Sequence, residues 1–548
     1  GTIEITYAGG GYNFQNGNVA MINNLTLSSA VTANLSAATS ISGDLTITKG
    51  TLTTTTNNYA LTVNGNLLLH PSASAGTDEP STLICNGSTI TVGGRLETQG
   101  TFYSAGGNYT PKSVFTGGTG THSYQGINFL VGADVTLSSG VTSITGAING
   151  AGAGTAFRFD IQSGYNTYSN GSGTVKFTSS NDQYVYSTGQ QADNFTQFHN
   201  LTLEKTSSTL QGLTTVGFHI KVGNDLLMTS GILDTNTTNA TNHDLTVTGA
   251  CTLNGGTFTG NSSTVSHGSL TISSGTYNAT NQTTTLNGTV DTGMRVDGTF
   301  NNNDGTFVID GSITKVQMGS IGGAPTGFSI NNAPFHHLTI NDSINFAWGT
   351  GTLFNVEGDL IVAAGQTLGA NNANSGIKVL GNVTLNGTLG NSSLTNNCEF
   401  GSLTINSGGT YNATDSTTTI TTGAFDITTT SFDLGAKTLV FSGTNASFLS
   451  ATNATFSAGP GATITGKAAD DKTDFDCQKN FQVVGTVENL NNNGPGSLMV
   501  TGQVINCDGN IIQLKPTQDS EQQLDKSSEA DRETTLGRDL DGNTELVG

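Results

Sequence analysis

Apolar residues along this chain come in short alternating runs. Asp44-Leu45-Thr46-Ile47, Ala60-Leu61-Thr62-Val63 and Asn66-Leu67-Leu68-Leu69 form a first set. Asp225-Leu226-Leu227-Met228, Asp244-Leu245-Thr246-Val247 and Cys251-Thr252-Leu253 form a second. Asp359-Leu360-Ile361-Val362, Ile377-Lys378-Val379 and Val383-Thr384-Leu385 form a third. Most are apolar at alternate positions and flanked by Gly, Asn or Asp. A period of two sets one side chain toward a core and the next toward solvent, and the flanking residues favour turns. No segment sustains helical periodicity, so the pattern predicts an all-β chain.

The runs are too short and too many for an ordinary sandwich with a two-sheet core. They fit a parallel β-solenoid, in which each coil supplies two or three short strands and the next coil stacks about 4.8 Å away. A coil of roughly 20 to 25 residues follows. Leu, Val, Ile and Phe point inward, Thr and Ser cover the outer faces, and Gly and Asn at the corners supply positive φ. Stacked Thr or Asn side chains are expected to hydrogen-bond from coil to coil.

Longer phrases also recur. Phe198-His199-Asn200-Leu201-Thr202-Leu203 returns as Phe335-His336-His337-Leu338-Thr339-Ile340, and Met21 to Leu27 is a looser, earlier copy. Gly268-Ser269-Leu270-Thr271-Ile272 followed by Gly275-Thr276-Tyr277-Asn278 returns as Gly401 to Ile405 followed by Gly409-Thr410-Tyr411-Asn412. Self-similarity of this kind marks a repeat architecture. We expect a strand or cap over 1–20 and a solenoid over 21–460 made of repeats near 21–190, 191–326 and 327–460. Terminal coils or a cap follow over 461–512, and a charged tail or intersubunit strap over 513–548.

Charge changes the picture at one place. Charged residues are 10% of the chain, against roughly 25% in typical soluble proteins. Residues 513–548 hold nine acidic and four basic side chains, so this tail is different material. The net charge is −21 with 18 Lys and Arg and no basic cluster, which argues against nucleic-acid binding. No stretch is apolar for long enough to form a transmembrane helix. The chain starts at Gly1, as a mature secreted product would.

Two phrases resemble a known group. Phe335 to Ile340 followed by Val356-Glu357-Gly358-Asp359-Leu360 is similar to the repeated phrase of secreted microbial β-strand-repeat surface proteins. Phe198 to Leu203 followed by Val222-Gly223-Asn224-Asp225-Leu226 is similar in the same way. These are filamentous-haemagglutinin-like or pectate-lyase-like right-handed parallel β-helices. The resemblance implies a single-stranded right-handed parallel β-helix with a less regular C-terminal region, and a place in adhesion or a cell-surface coat. Gly537-Arg538-Asp539-Leu540-Asp541-Gly542-Asn543 is similar to a phrase near the end of many such proteins, although Thr544-Glu545 follows here instead of proline and arginine.

Chemistry-bearing clusters are few. The arginines of the repeat region, Arg95, Arg158 and Arg295, are scattered, and carbohydrate hydrolysis needs two carboxylates held at a set distance. We therefore expect no enzyme and no cofactor. Asp470 and Asp471, and Asp539 and Asp541, are weak Ca2+ candidates through oxygen ligation. Of the adjacent His336 and His337, strand alternation predicts one exposed and one packed. Cys477 and Cys507 are candidates for a disulfide, whereas Cys85, Cys251 and Cys398 read as small buried apolar residues. Sequons occur at Asn24, Asn86, Asn278, Asn386 and Asn412 among others; their number carries little weight in a chain this rich in Asn, Ser and Thr. The clean alternation of Gly1 to Tyr7 makes Ile3, Ile5 and Tyr7 assembly candidates.

These features predict an extracellular or cell-surface structural protein. It would be the protomer of a homopolymeric filament, sheath or surface layer, joined at the solenoid ends. A cell-surface adhesin for glycans or a host surface is the alternative, and a polysaccharide-degrading β-helix enzyme a more distant one.

Overall fold

A computed structural model describes the chain to residue 505, apart from 7–11, 15–21, 73–78, 104–107, 149–153, 161–166, 188–195, 214–218, 237–241, 319–334, 348–352, 466–472 and shorter breaks. It describes side chains as far as residue 442. The described residues are strands and turns with no helix, so no helix is long and apolar enough to cross a membrane. Apart from a short antiparallel pair and an isolated antiparallel bridge, the strand pairs are parallel, and they build a β-solenoid.

The chain forms two compact units. One comprises Gly1–Gln282 with Gly298–Asn301, and the other Thr283–Asp297 with the chain from Asn302 onward. The boundary falls inside the stretch 191–326.

In the first unit Ile22, Ile41, Val63, Val92, Tyr124, Ile144, Phe177, Leu203, Met228, Leu253 and Ile272 stack one above the next, all buried. A second column runs through Leu25, Leu45, Leu67, Leu96, Ile127 and Phe157. Burying each such side chain contributes about 1.5–3 kcal/mol relative to leaving it in water. Phe258, Tyr277 and Phe300 form an aromatic stack, with ring centroids 4.6 and 5.7 Å apart. In the second unit Phe335, Val356, Val379, Phe400, Ile420 and Phe441 make an equivalent buried column.

The repeated Val-x-Gly-x-Leu phrase is a corner between two faces. In Ile41-Ser42-Gly43-Asp44-Leu45 the first residue belongs to one core column and the last to the other. The residue before the Leu carries a side-chain acceptor for the turn above. Asn24 Oδ1 accepts from the Asp44 N–H at 2.9 Å, Asp44 Oδ1 from the Asn66 N–H at 2.6 Å, and Asn66 Oδ1 from the Arg95 N–H at 3.2 Å. The same ladder joins Asn200 to Asp225 at 3.2 Å and Asp225 to Ala250 at 2.8 Å. In the second unit His337 Nδ1 accepts from the Asp359 N–H at 3.0 Å, and Asp359 Oδ1 from the Asn382 N–H at 2.8 Å. The corner Gly is required because the previous turn's acceptor lies where a Cβ would stand. At Gly381 that Cβ would meet Asp359 Oδ1 at 2.5 Å and the Gly358 carbonyl oxygen at 2.6 Å.

Two expectations are corrected, and one difference emerges that the sequence did not address. Strands are not confined to a few residues: Leu245–Thr259 is one strand of 15 residues, because pairing continues through the corner with only a register shift. Turn length is not uniform. From Leu338 through Leu360, Val383 and Leu403 to Phe425 a turn takes 20 to 23 residues, but in the first unit it runs from 19 (Ile22 to Ile41) to 33 (Ile144 to Phe177). One wide turn, between Val92 and Tyr124, holds a small antiparallel pair, Phe102–Tyr103 with Asn108–Tyr109. Finally, the first copy of the long phrase is displaced. Leu27 stacks under Ile47 and Leu69, whereas Leu203 belongs to the column of Ile41 and Val63. The wide turns separate these copies, and across them the phrase moves by one face.

Candidate functional site

Two places stand apart from the repeating scaffold. The first is the strand Thr2–Ile5. It pairs in parallel with Asn24–Leu27, and among the described residues nothing pairs on its other edge. Ile3 is 47% exposed, and Ile5 is partly buried. Ser28 Oγ donates to Glu4 Oε1 at 2.7 Å and secures the strand to the turn above. Tyr7 lies outside the described residues.

The second is a corner of the second unit where Asp304, His336 and Glu357, from successive turns, bring their ligand atoms within 4.8 Å of one another. His336 Nδ1 lies 3.6 Å from Asp304 Oδ1 and 3.8 Å from Glu357 Oε2. Asn302 Nδ2 donates to Glu357 Oε2 at 3.1 Å. The expectation for the His pair is corrected here. Both rings are partly exposed and meet edge to face at 4.5 Å, because they sit at a corner rather than in a flat strand. His337 joins the hydrogen-bond ladder and His336 does not.

Several other titratable groups among the described residues serve the scaffold. The three arginines of the repeat region lie two residues before an acid, which strand alternation puts on the same face: Arg95 with Glu97 at 2.9 Å, Arg158 with Asp160 at 3.5 Å, and Arg295 with Asp297 at 2.8 Å. This Arg-x-acid spacing is visible in the sequence and could have signalled these pairs, although reading the arginines as scattered missed it. Burial pushes the Glu97 carboxyl up, but hydrogen bonds from His70 and Asn128 and the Arg95 charge outweigh it and hold the pKa at about 2. Lys205 is fully buried; its Nζ donates to the Ser179 and Asn181 carbonyls and to Gln183 Oε1, and burial lowers its pKa to about 8. His122 and His267 face buried tyrosine hydroxyls, Tyr124 at 3.1 Å and Tyr277 at 2.9 Å. Burial lowers their pKa values to about 4 and about 3, so both are neutral.

Cys85 and Cys251 are buried free thiols, and Cys398 is buried with its Sγ donating to the Asn396 carbonyl oxygen at 3.7 Å. The sequon residues fall at the ladders and turns. Asn24 and Asn386 accept from the next turn through Oδ1, as does Asn278 from Asn301. Asn86 donates its Nδ2 to Thr53 Oγ1 at 3.1 Å from a left-handed backbone. Asn412 is exposed. Cys477, Cys507, Asp470, Asp471, Asp539 and Asp541 lie outside the described residues, as does the whole of 513–548.

No protein-family model matches the chain, and no curated protein or solved structure matches it either.

Proposed function

We propose that the chain is an extracellular structural protein, the protomer of a homopolymeric filament, sheath or surface layer. The observation that carries this reading is the exposed edge of Thr2–Ile5, with Ile3 standing out on it. A strand edge of this kind is a template for a further strand. The turns beside it supply what such an addition needs: an in-register apolar column and a side-chain acceptor at each corner. Low charge and Thr-clad faces suit lateral packing of like chains.

The test is sedimentation velocity and negative-stain electron microscopy over a wide concentration range, on the wild type and on Ile3→Lys. End-to-end oligomers that lengthen with concentration and disappear in Ile3→Lys are expected. A wild type that stays monomeric at the highest concentration would overturn the proposal.

A further inference from the structure

We propose that Asp304, His336 and Glu357 form a binding site for one divalent transition-metal ion of the Zn2+ type. The first argument is the fate of His336 Nδ1. It is closed off from water and makes no hydrogen bond, yet it faces two carboxylates. The buried His122 Nε2 and His267 Nδ1 also make no hydrogen bond, so what sets His336 Nδ1 apart is the pair of carboxylates in front of it.

The second argument is distance. The nitrogen stands 3.6 and 3.8 Å from the carboxylate oxygens, too far for a hydrogen bond. Donors about 2.1 Å from a tetrahedral ion lie roughly 3.4 Å from one another. The separations are thus near those of ligands around an ion. The Asp304 side chain, 83% exposed, is free to swing inward the remaining distance. The Asn302 amide fixes Glu357 Oε2, the kind of support that orients a ligating carboxylate.

Donor chemistry sets the class of ion. One imidazole and two carboxylates suit zinc, cobalt or nickel, whereas a Ca2+ site is built from six to eight oxygens. Water would complete the coordination on the exposed side. Because the ligands come from successive turns, a bound ion would clamp those turns at one corner.

The experiment uses the full chain, stripped with a chelator and titrated with Zn2+ against a chromophoric competitor, and with Co2+ followed by its visible d–d bands. One Zn2+ per chain is expected, with cobalt bands of a four- or five-coordinate ion, and excess Ca2+ should not compete. Affinity should fall at least tenfold in His336→Ala and in Glu357→Gln, and His199→Ala should leave it unchanged. Far-UV circular dichroism confirms that each variant folds, and Glu357→Gln decides the matter should His336→Ala fail to fold. Absence of stoichiometric binding, or binding that survives loss of His336 or Glu357, would overturn the site.

Discussion

Asn24-Leu25-Thr26-Leu27 and Asn200-Leu201-Thr202-Leu203 are the same four letters in one unit of the molecule. Their corners are alike: each Asn accepts a backbone N–H from the turn above, at 2.9 Å from Asp44 and 3.2 Å from Asp225. Their places in the core differ, since Leu27 and Leu203 belong to different columns. The corner is thus a property of a turn and its immediate neighbour. The column depends on every turn between the two copies, and the wide turns in that interval move the phrase by one face.

If corners are local, breaking them should cost the same wherever the phrase sits. Gly43→Ala and Gly249→Ala should each destabilise by about 3 kcal/mol or more, because the new Cβ would strike the preceding turn's backbone as well as its acceptor. At Gly249 it would stand 2.8 Å from the Asn224 carbonyl oxygen. Chemical denaturation measures both, and a cost at one site alone would show that the corners are not equivalent.

Core columns should report their own differences through pH. Neutral buried His122 and His267 must take up a proton on unfolding, so stability is full above about pH 6.5, the unfolded value. It falls as the pH drops from there toward their folded values of about 4 and about 3. Each contributes on the order of 3 kcal/mol to that fall. Thermal midpoints against pH should flatten in His267→Gln, and an unchanged profile would remove this histidine from the acid response.

Smaller effects separate the acceptor from its charge. Asp225→Ala should cost about 1–2 kcal/mol by orphaning the Ala250 N–H, and Asp225→Asn close to nothing, since Asn24, Asn66 and Asn200 fill the same role. Equal losses in the two variants would mean that charge, not acceptance, matters at the corner. Last, Lys176→Ala removes an exposed inter-turn pair with Glu204 at 2.8 Å and should change stability by about 0.5 kcal/mol or less.

Much of this architecture is written locally. Alternation at Leu45-Thr46-Ile47 and its relatives specifies strands, and the Gly of Val-x-Gly-x-Leu specifies a corner. The acceptor role of Asp44, Asp225 and Asp359 was also within reach, because an Asn, Asp or His recurs just before the Leu, but alternation treats that position as a mere flank. The neighbouring histidines show where such reading stops. His336 and His337 look interchangeable in the chain, yet one accepts an N–H from Asp359 and the other faces Asp304 and Glu357.

By itself the sequence determined that the chain is β throughout, that it coils in parallel, and where it bends. Those properties depend on residues within one turn and the next: a period of two, a missing Cβ, a side-chain oxygen. Only the tertiary structure decided which face each phrase occupies, which of the paired histidines joins the ladder, and which carboxylates meet the other. Those outcomes depend on the summed length of the intervening turns, because each inserted loop shifts every later residue around the coil without changing its local pattern.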